Sequence, residues 1–420
     1  MDSSITPTKL TGQIDAVESK SDAHRLLICA ALSETPTEII IKNISKDIAA
    51  TIECLSAMGG EIQTRVDGSL SVRPLWQSNT QNPVLDCGES GSTLRFLLPV
   101  AAALFGGFAM TGAGRLPHRP LAPVIAAMKA NGCTFGSEKL PVQVNGKLQN
   151  GRFELRGDVS SQFISGLLFA LLLLEGDSEI VLTSPLESSG YVDMTLHTLA
   201  RFGLSVICEK NRIFVPGSQQ YISPGSVTVE GDWSNAAFWL AAGAINGRIT
   251  CGGLNENSLQ CDRRMLDILK QMGADISFEN GAATAAYREL RAITLNAAEI
   301  PDLVPVTAAL MALAKGTSVI ENAGRVRLKE SDRLTAITEN LNKLGADVRE
   351  TADSLIINGK PELAGGVADG CGDHRIVMAM AVASVACKGT VVIRGAEAVE
   401  KSYPGFFGDF NKLGGRANVI

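Results

Sequence analysis

Six glycines, Gly59, Gly132, Gly203, Gly273, Gly345 and Gly414, recur along the 420-residue chain at intervals of about 70 residues. Each closes a helical pattern, and most precede a β-like pair such as Ala274-Asp275-Ile276 or Ala346-Asp347-Val348. Roughly 40 residues upstream of each glycine lies an equivalent helix start: Ser21, Thr93, Gln162, Asn235, Asp302 and His374. A fixed period of this kind means one supersecondary unit copied six times. A chain this long exceeds what one core can serve, so two domains of three units each are expected.

The unit is read most clearly in its first copy. Residues 8–19 predict a strand leading to Lys20-Ser21, followed by a helix over 23–32, a strand over 38–42 and a helix over 47–58. Strands over 61–66 and 69–73 flank Asp67-Gly68, a hairpin signal. The pattern is β-α-β-α-β-β. In the fifth copy, Pro301-Asp302 precedes an apolar run over 303–314 that ends at Gly316, and a β-like segment covers 317–321. The polar stretch 325–333 then leads into a second helix with Leu334, Ile337, Leu341 and Leu344 on one face. This predicts a carboxylate opening one helix and a cationic cluster opening the next, where free N–H groups suit anions.

Composition narrows the function class. A hydrophobic content of 45% with 20% charged residues is that of a soluble globular protein able to build sizeable cores. The net charge of −6 argues against nucleic acid or an anionic membrane as partner. Nine cysteines without a CxxC pair or a His/Cys cluster point to a reducing compartment and to no structural zinc. The first residues lack a signal-peptide pattern, and the apolar run 163–174 is too short to span a bilayer, so a cytoplasmic protein is expected.

Local motifs are individually ambiguous. Gly88-Glu89-Ser90-Gly91-Ser92-Thr93 ahead of Leu94-Arg95 suits either an anion cradle or an ordinary N-cap. The loop 112–120 is glycine-rich and basic, with Arg115, His118 and Arg119 and no acid. Ser160-Ser161-Gln162 could receive a phosphate or simply cap a helix. The fourth repeat, beginning around 227–233, carries almost no recognisable site residues and reads as scaffold. Gly370-Cys371-Gly372-Asp373-His374-Arg375 opens the sixth, with His374 better suited to hydrogen bonding or capping than to base catalysis.

Taken in order, the motifs are far more specific. Lys20-Ser21 with Arg25, Gly88 to Arg95, Arg119-Pro120, Ser160-Ser161-Gln162, Pro301-Asp302, Arg327 to Arg333, Asp373-His374-Arg375 and Lys401-Ser402-Tyr403-Pro404 span essentially the whole chain. The sequence resembles the EPSP synthase (3-phosphoshikimate 1-carboxyvinyltransferase) family of enolpyruvyl transferases. That resemblance implies an α/β fold of two domains, each an inside-out barrel of three βαβαββ units, closing over substrates. It places residues 20–229 in one domain and 1–19 with 230–420 in the other, with hinges near 18–20 and 228–231. It implies transfer of the carboxyvinyl group of phosphoenolpyruvate to shikimate-3-phosphate, with release of phosphate.

By the same resemblance, Lys20, Ser21, Arg25, Ser160, Ser161, Gln162, Ser188, Tyr191, Asp302 and Lys329 match the positions that bind shikimate-3-phosphate. Lys20, Gly91, Arg119, Gln162, Arg333, Arg375 and Lys401 match those for phosphoenolpyruvate. Asp302 matches the proton acceptor, Glu330 the proton donor, and Lys20 a group that handles a proton or stabilises developing charge. The implied enzyme is a cytoplasmic monomer that needs no metal or other cofactor and is inhibited by glyphosate at the phosphoenolpyruvate site. Glu89 stands where many members have Asn, Arg325 where some have Asn, and Phe96 where several have Pro. UDP-N-acetylglucosamine 1-carboxyvinyltransferase is the neighbouring alternative, but residues 112–118 lack the cysteine that family carries there. A non-catalytic clamp on the same repeats would have no need of Asp302, Glu330 and the scattered cations.

Overall fold

The computed structural model describes every residue except Ser78. The chain forms two compact units, one of residues 1–17 and 230–420, the other of residues 18–229. Among the described residues there are six four-stranded sheets. In the fifth repeat, strand Thr294–Asn296 runs parallel to Thr317–Glu321, which pairs antiparallel with Leu355–Asn358, whose other edge takes Asp347–Glu350. The other five sheets follow the same order, and three of them take one strand from a distant part of the chain.

The first repeat departs from the expected layout. Residues 8–19 are not one strand. Thr11–Asp15 pairs parallel with Arg248–Gly252 in the fourth repeat. The leading strand of the first repeat is instead Ser226–Thr228, parallel to Thr37–Ile40 with Val227 opposite Ile39. Residues 226–228 therefore close the first repeat rather than begin the fourth. An unforeseen strand, Ser3–Thr6, completes the sixth sheet between Val391–Arg394 and Arg416–Val419. This permutation is invisible to periodicity because a four-residue strand carries almost no pattern of its own. Glu18 and Ser19 belong with the 18–229 unit. Ser19 caps helix Lys20–Leu32, and Glu18 accepts from the Lys42 and Asn43 amides, each at 3.2 Å.

The six periodic glycines all adopt left-handed backbone, with φ between 77° and 106°, where a Cβ would be strained. After each, the next amide donates to a carbonyl five residues back, as in Gly60 to Leu55, Ala274 to Leu269 and Ala346 to Leu341. That is the Schellman closure, which satisfies carbonyls left open at a helix end. The period in the sequence is thus the period of six identical helix stops.

Within each repeat the two helices differ. In the 1–17/230–420 unit, helices Val304–Met311 and His374–Ser384 are buried along their whole length, and Trp233–Asn246 at 13 positions. These three pack on one another, and sheets cover them. The later helix of a repeat, such as Arg333–Lys343, is buried on one face only. The 18–229 unit repeats the scheme with Lys20–Leu32, Gly91–Leu104 and Ser161–Leu171 inside.

Close approach of two inner helices depends on Gly166, where a Cβ would strike the Arg95 carbonyl and come within 3.0 Å of Pro99 Cγ. Gly166→Ala should therefore cost about 1–3 kcal/mol by forcing those helices apart. Urea unfolding checks this, and an unchanged midpoint would show that the crossing can relax.

Candidate active site

In the 1–17/230–420 unit, Pro301 starts a short 3-10 turn, Pro301–Leu303, and the α-helix begins only at Val304. Asp302 thus lies a turn ahead of the helix, not within its first turn as the spacing suggested. The polar stretch after Thr317–Glu321 is likewise partly ordered, with a 3-10 segment at Gly324–Leu328. Arg327 there is structural. One guanidinium nitrogen bonds both Asp332 oxygens at 2.9 Å and another reaches Glu350 at 2.6 Å, fixing the N-cap of helix Arg333–Lys343. Arg325 is turned to the Ala298 carbonyl at 2.8 Å.

Arg333 is the centre of this cluster. Its side chain is 1% exposed and meets three carboxylates: Nη1 donates to Asp302 Oδ1 at 2.9 Å, Nη2 to Glu330 Oε2 at 2.9 Å, and Nε to Asp373 Oδ2 at 2.8 Å. Arg375 Nη2 holds the other Asp302 oxygen at 3.0 Å, and Lys329 Nζ lies 3.5 Å from Oδ1. Burial pushes the Asp302 carboxyl up, but Arg375, Lys329 and Arg333 together outweigh it and hold the group well below the usual carboxylate range. Asp373, the N-cap of helix His374–Ser384, is likewise pushed up by burial and brought below that range chiefly by Arg333. His374 is the first residue of that helix and is buried. Lys401 donates to the Gly372 carbonyl at 2.6 Å.

The 18–229 unit holds its cations differently. Arg25, 2% exposed, donates from Nε to Thr195 Oγ1 at 2.9 Å and from Nη2 to the Tyr191 carbonyl at 2.7 Å. Its guanidinium also lies over the Phe96 ring, 5.1 Å from the centroid. Burial brings its pKa down to about 10, offset only in part by Asp22 and Tyr191. Phe96, buried, thus supports Arg25 from the core. Lys20 pairs with Asp47 at 2.7 Å. Gln162 accepts from Arg95 Nη1 at 2.8 Å and donates to Ser92 Oγ at 2.8 Å, joining the second and third repeats. The Ser160 hydroxyl caps helix Ser161–Leu171, and Ser161 is buried at its start. Ser188, buried, stands in left-handed backbone (φ 56°, ψ 47°) just before helix Ser189–Arg201.

Gly91 is more crowded than its sequence suggests. A Cβ there would come 2.5 Å from Arg119 Nη1 and 2.8 Å from Arg95 Nη1, so the position is filled by guanidinium groups rather than open.

Several participants escaped the sequence reading. The fourth repeat is not mere scaffold: Ser234 Oγ accepts from Arg375 Nη2 at 3.0 Å and donates to Asp232 Oδ1 at 2.5 Å. Asp47, Arg95 and Thr195 also bond expected site residues. Asp232 caps its helix through Asn235 N, and an N-cap Asp is too common a signal to mark a site. Among the described residues, no group of His, Cys, Asp and Glu is arranged to hold a metal, and no helix is long and apolar enough to cross a membrane.

The EPSP synthase (3-phosphoshikimate 1-carboxyvinyltransferase) family model matches residues 5–410. The 3-phosphoshikimate 1-carboxyvinyltransferases of Clostridium kluyveri and Clostridium acetobutylicum are 46% and 42% identical, each over 98% of this chain and 97% of its own length. The solved EPSP synthase from Acinetobacter baumannii superposes with a TM-score of 0.82 at 27% identity, covering 100% of both chains. The enolpyruvyl transferase NikO from Streptomyces tendae shares the fold at a TM-score of 0.79 and 17% identity, over 99% of this chain and 98% of its own.

Asp373→Asn keeps a capping side chain but removes a charge facing Arg333. The expected loss is about 3 kcal/mol near neutral pH, as when one partner of a buried ion pair is deleted. Because the folded-state carboxyl titrates below its unfolded value, this contribution is complete above about pH 4 and is lost as pH falls through the folded value. Urea midpoints of the two proteins should be well separated at neutral pH and draw together on acidification. A separation that does not depend on pH would assign the loss to geometry instead.

Proposed function

The chain belongs to the EPSP synthase family, and we propose that the groups described above divide that family's reaction among themselves as follows. The reaction transfers the carboxyvinyl group of phosphoenolpyruvate to the 5-hydroxyl of shikimate-3-phosphate, releases phosphate, and serves the shikimate pathway to aromatic amino acids. It proceeds by addition and elimination through a tetrahedral intermediate.

The observation that carries the assignment is Arg333 standing between Asp302 and Glu330. Addition requires a proton on the methylene carbon of phosphoenolpyruvate while the 5-hydroxyl loses one. Elimination requires a proton to leave that carbon as phosphate departs. Two carboxylates against one guanidinium supply a donor and an acceptor of different environment. Glu330 takes the donor role and Asp302 the acceptor role.

Without substrate, Asp302 is a poor base, because Arg375, Lys329 and Arg333 stabilise its charge. In this reading phosphoenolpyruvate brings a carboxylate and a phosphate that compete for Arg333 and Arg375, with Lys401 as a further ligand. As those guanidinium groups turn to the substrate, Asp302 gains proton affinity where the hydroxyl must be deprotonated. Lys329 remains with Asp302 and the shikimate-3-phosphate hydroxyls.

In the 18–229 unit, Lys20, Gly91, Arg119 and Gln162 are assigned to phosphoenolpyruvate. Lys20, Ser21, Arg25, Ser160, Ser161, Gln162, Ser188 and Tyr191 are assigned to shikimate-3-phosphate. Lys20 stabilises charge on the departing phosphate or relays a proton. The weakly compensated charge on Arg25 supports its pairing with a substrate anion. Glyphosate would occupy the phosphoenolpyruvate groups, and the enzyme would work as a cytoplasmic monomer.

Asp302→Asn should keep the fold and shikimate-3-phosphate binding but lower turnover by about 10²–10⁴-fold, the usual contribution of a general base. Phosphate released from phosphoenolpyruvate in the presence of shikimate-3-phosphate measures it, and near-normal turnover would remove Asp302 from the role.

Gly91→Ala should press on the Arg119 and Arg95 guanidinium groups. The expected outcome is a rise of about tenfold in the phosphoenolpyruvate KM and a larger rise, about a hundredfold, in the glyphosate inhibition constant. Inhibition titrations at matched substrate saturation decide it. Equal shifts would mean that the displaced guanidinium serves both ligands alike.

A further inference from the structure

We propose that Glu89 is a positioning residue for Arg119, acting through the turn at Gly114. The inference rests on the assignment of Arg119 to phosphoenolpyruvate. Two turns of the 18–229 unit interlock here. The Ala113 amide donates to the Gly88 carbonyl at 2.7 Å, and a Cβ on Gly112 would come 3.1 Å from that same oxygen and 2.9 Å from Leu116 Cδ2. Gly114 has a positive φ of 58°. A Cβ there would collide with Glu89 Oε2 and lie 2.6 Å from its Cδ and 3.0 Å from its Cγ. The Glu89 side chain therefore lies flat across Gly114, where only a hydrogen fits.

From that grip the loop has a short, closed path to the site. Leu116 N donates to Ala113 O and Arg119 N to Leu116 O, both at 3.1 Å, around the 3-10 turn Leu116–His118. The Arg119 guanidinium then arrives over Gly91, two residues along the chain from Glu89. One turn, 88–91, thus holds the root of the basic loop at Glu89 and receives its functional end at Gly91.

A carboxylate suits the position. The loop carries Arg115, His118 and Arg119 without an acid, and the facing turn leads into Arg95. An acidic side chain lowers the repulsion between two cationic segments held in contact. Because Glu89 is an exposed residue, its charge is partly screened by solvent, and packing on Gly114 carries the larger part of the proposed effect.

The test is steady-state kinetics on the full-length enzyme, with melting temperatures as a folding control. Glu89→Ala should raise the KM for phosphoenolpyruvate about tenfold while leaving kcat and the KM for shikimate-3-phosphate within about twofold. Glu89→Gln, which keeps the shape, should stay within about threefold of the parent. Gly114→Ala, whose methyl evicts the carboxylate, should match Glu89→Ala, and the double variant should be no worse than either alone, since both break one contact. Additive effects, or equal shifts in both substrates, would overturn the inference. An unchanged phosphoenolpyruvate KM in Glu89→Ala overturns it alone if Arg119→Ala raises that KM. If Arg119→Ala leaves it unchanged as well, the assignment of Arg119 falls and the inference with it.

Discussion

A guanidinium buried among three carboxylates organises the 1–17/230–420 unit. Taking Arg333 and its partners out of water is expensive and is offset only if nearly every donor is met. Here Nε, Nη1 and Nη2 each find a carboxylate oxygen, and burial does not neutralise the group: its pKa is raised, since Asp373, Glu330 and Asp302 outweigh desolvation. The requirement reaches back into local structure. Asp302 needs the proline-initiated turn ahead of its helix, and Asp373 must serve as N-cap and counter-ion at once. Ser331, donating to Asp373 Oδ2 at 3.0 Å, holds that carboxylate in place.

The two units solve the same problem in opposite senses. Arg333 sits among anions and is raised. Arg25 is held largely by a hydroxyl and backbone carbonyls and is lowered to about 10. A substrate anion meeting Arg25 gains charge pairing that the fold has not already supplied, whereas one meeting Arg333 or Arg375 must compete with Asp302. Under the proposed assignment that difference fits binding at the first and chemistry at the second, because competition for its guanidinium partners raises the basicity of Asp302.

The repeat was legible because its punctuation is chemical. Only glycine readily takes the left-handed stop, so the six stops stood out. Helix starts were legible to within a few residues through Ser, Thr and Asp caps. The strand exchange was legible only through likeness to a family, which placed residues 1–19 with 230–420, since Thr11–Asp15 and Ser226–Thr228 are too short to declare a partner themselves. Candidate site residues carried by long motifs, such as Lys329 to Arg333, were proposed by likeness to a family. Their supporting partners were not: Asp232 and Ser234 look like an ordinary cap, and Thr195 lies mid-helix with nothing to mark it until Arg25 reaches it.

Burial also explains why the periodicity that locates the stops also locates the residues proposed for the chemistry. The first helix of a repeat is enclosed on nearly every side, so its middle turns tolerate few polar side chains. Its N-terminal turn is different, because unpaired N–H groups there favour oxygen ligands and anions. Lys20, Gly91, Gln162, Asp302 and Arg375 all fall within or beside such a turn. Ser234 occupies the equivalent place in the fourth repeat, and the hydrogen bonds from Arg375 to Asp302 and Ser234 tie three of these turns together. Enclosed helices concentrate charge towards their N-terminal turns, and the repeat delivers those turns three at a time to each unit.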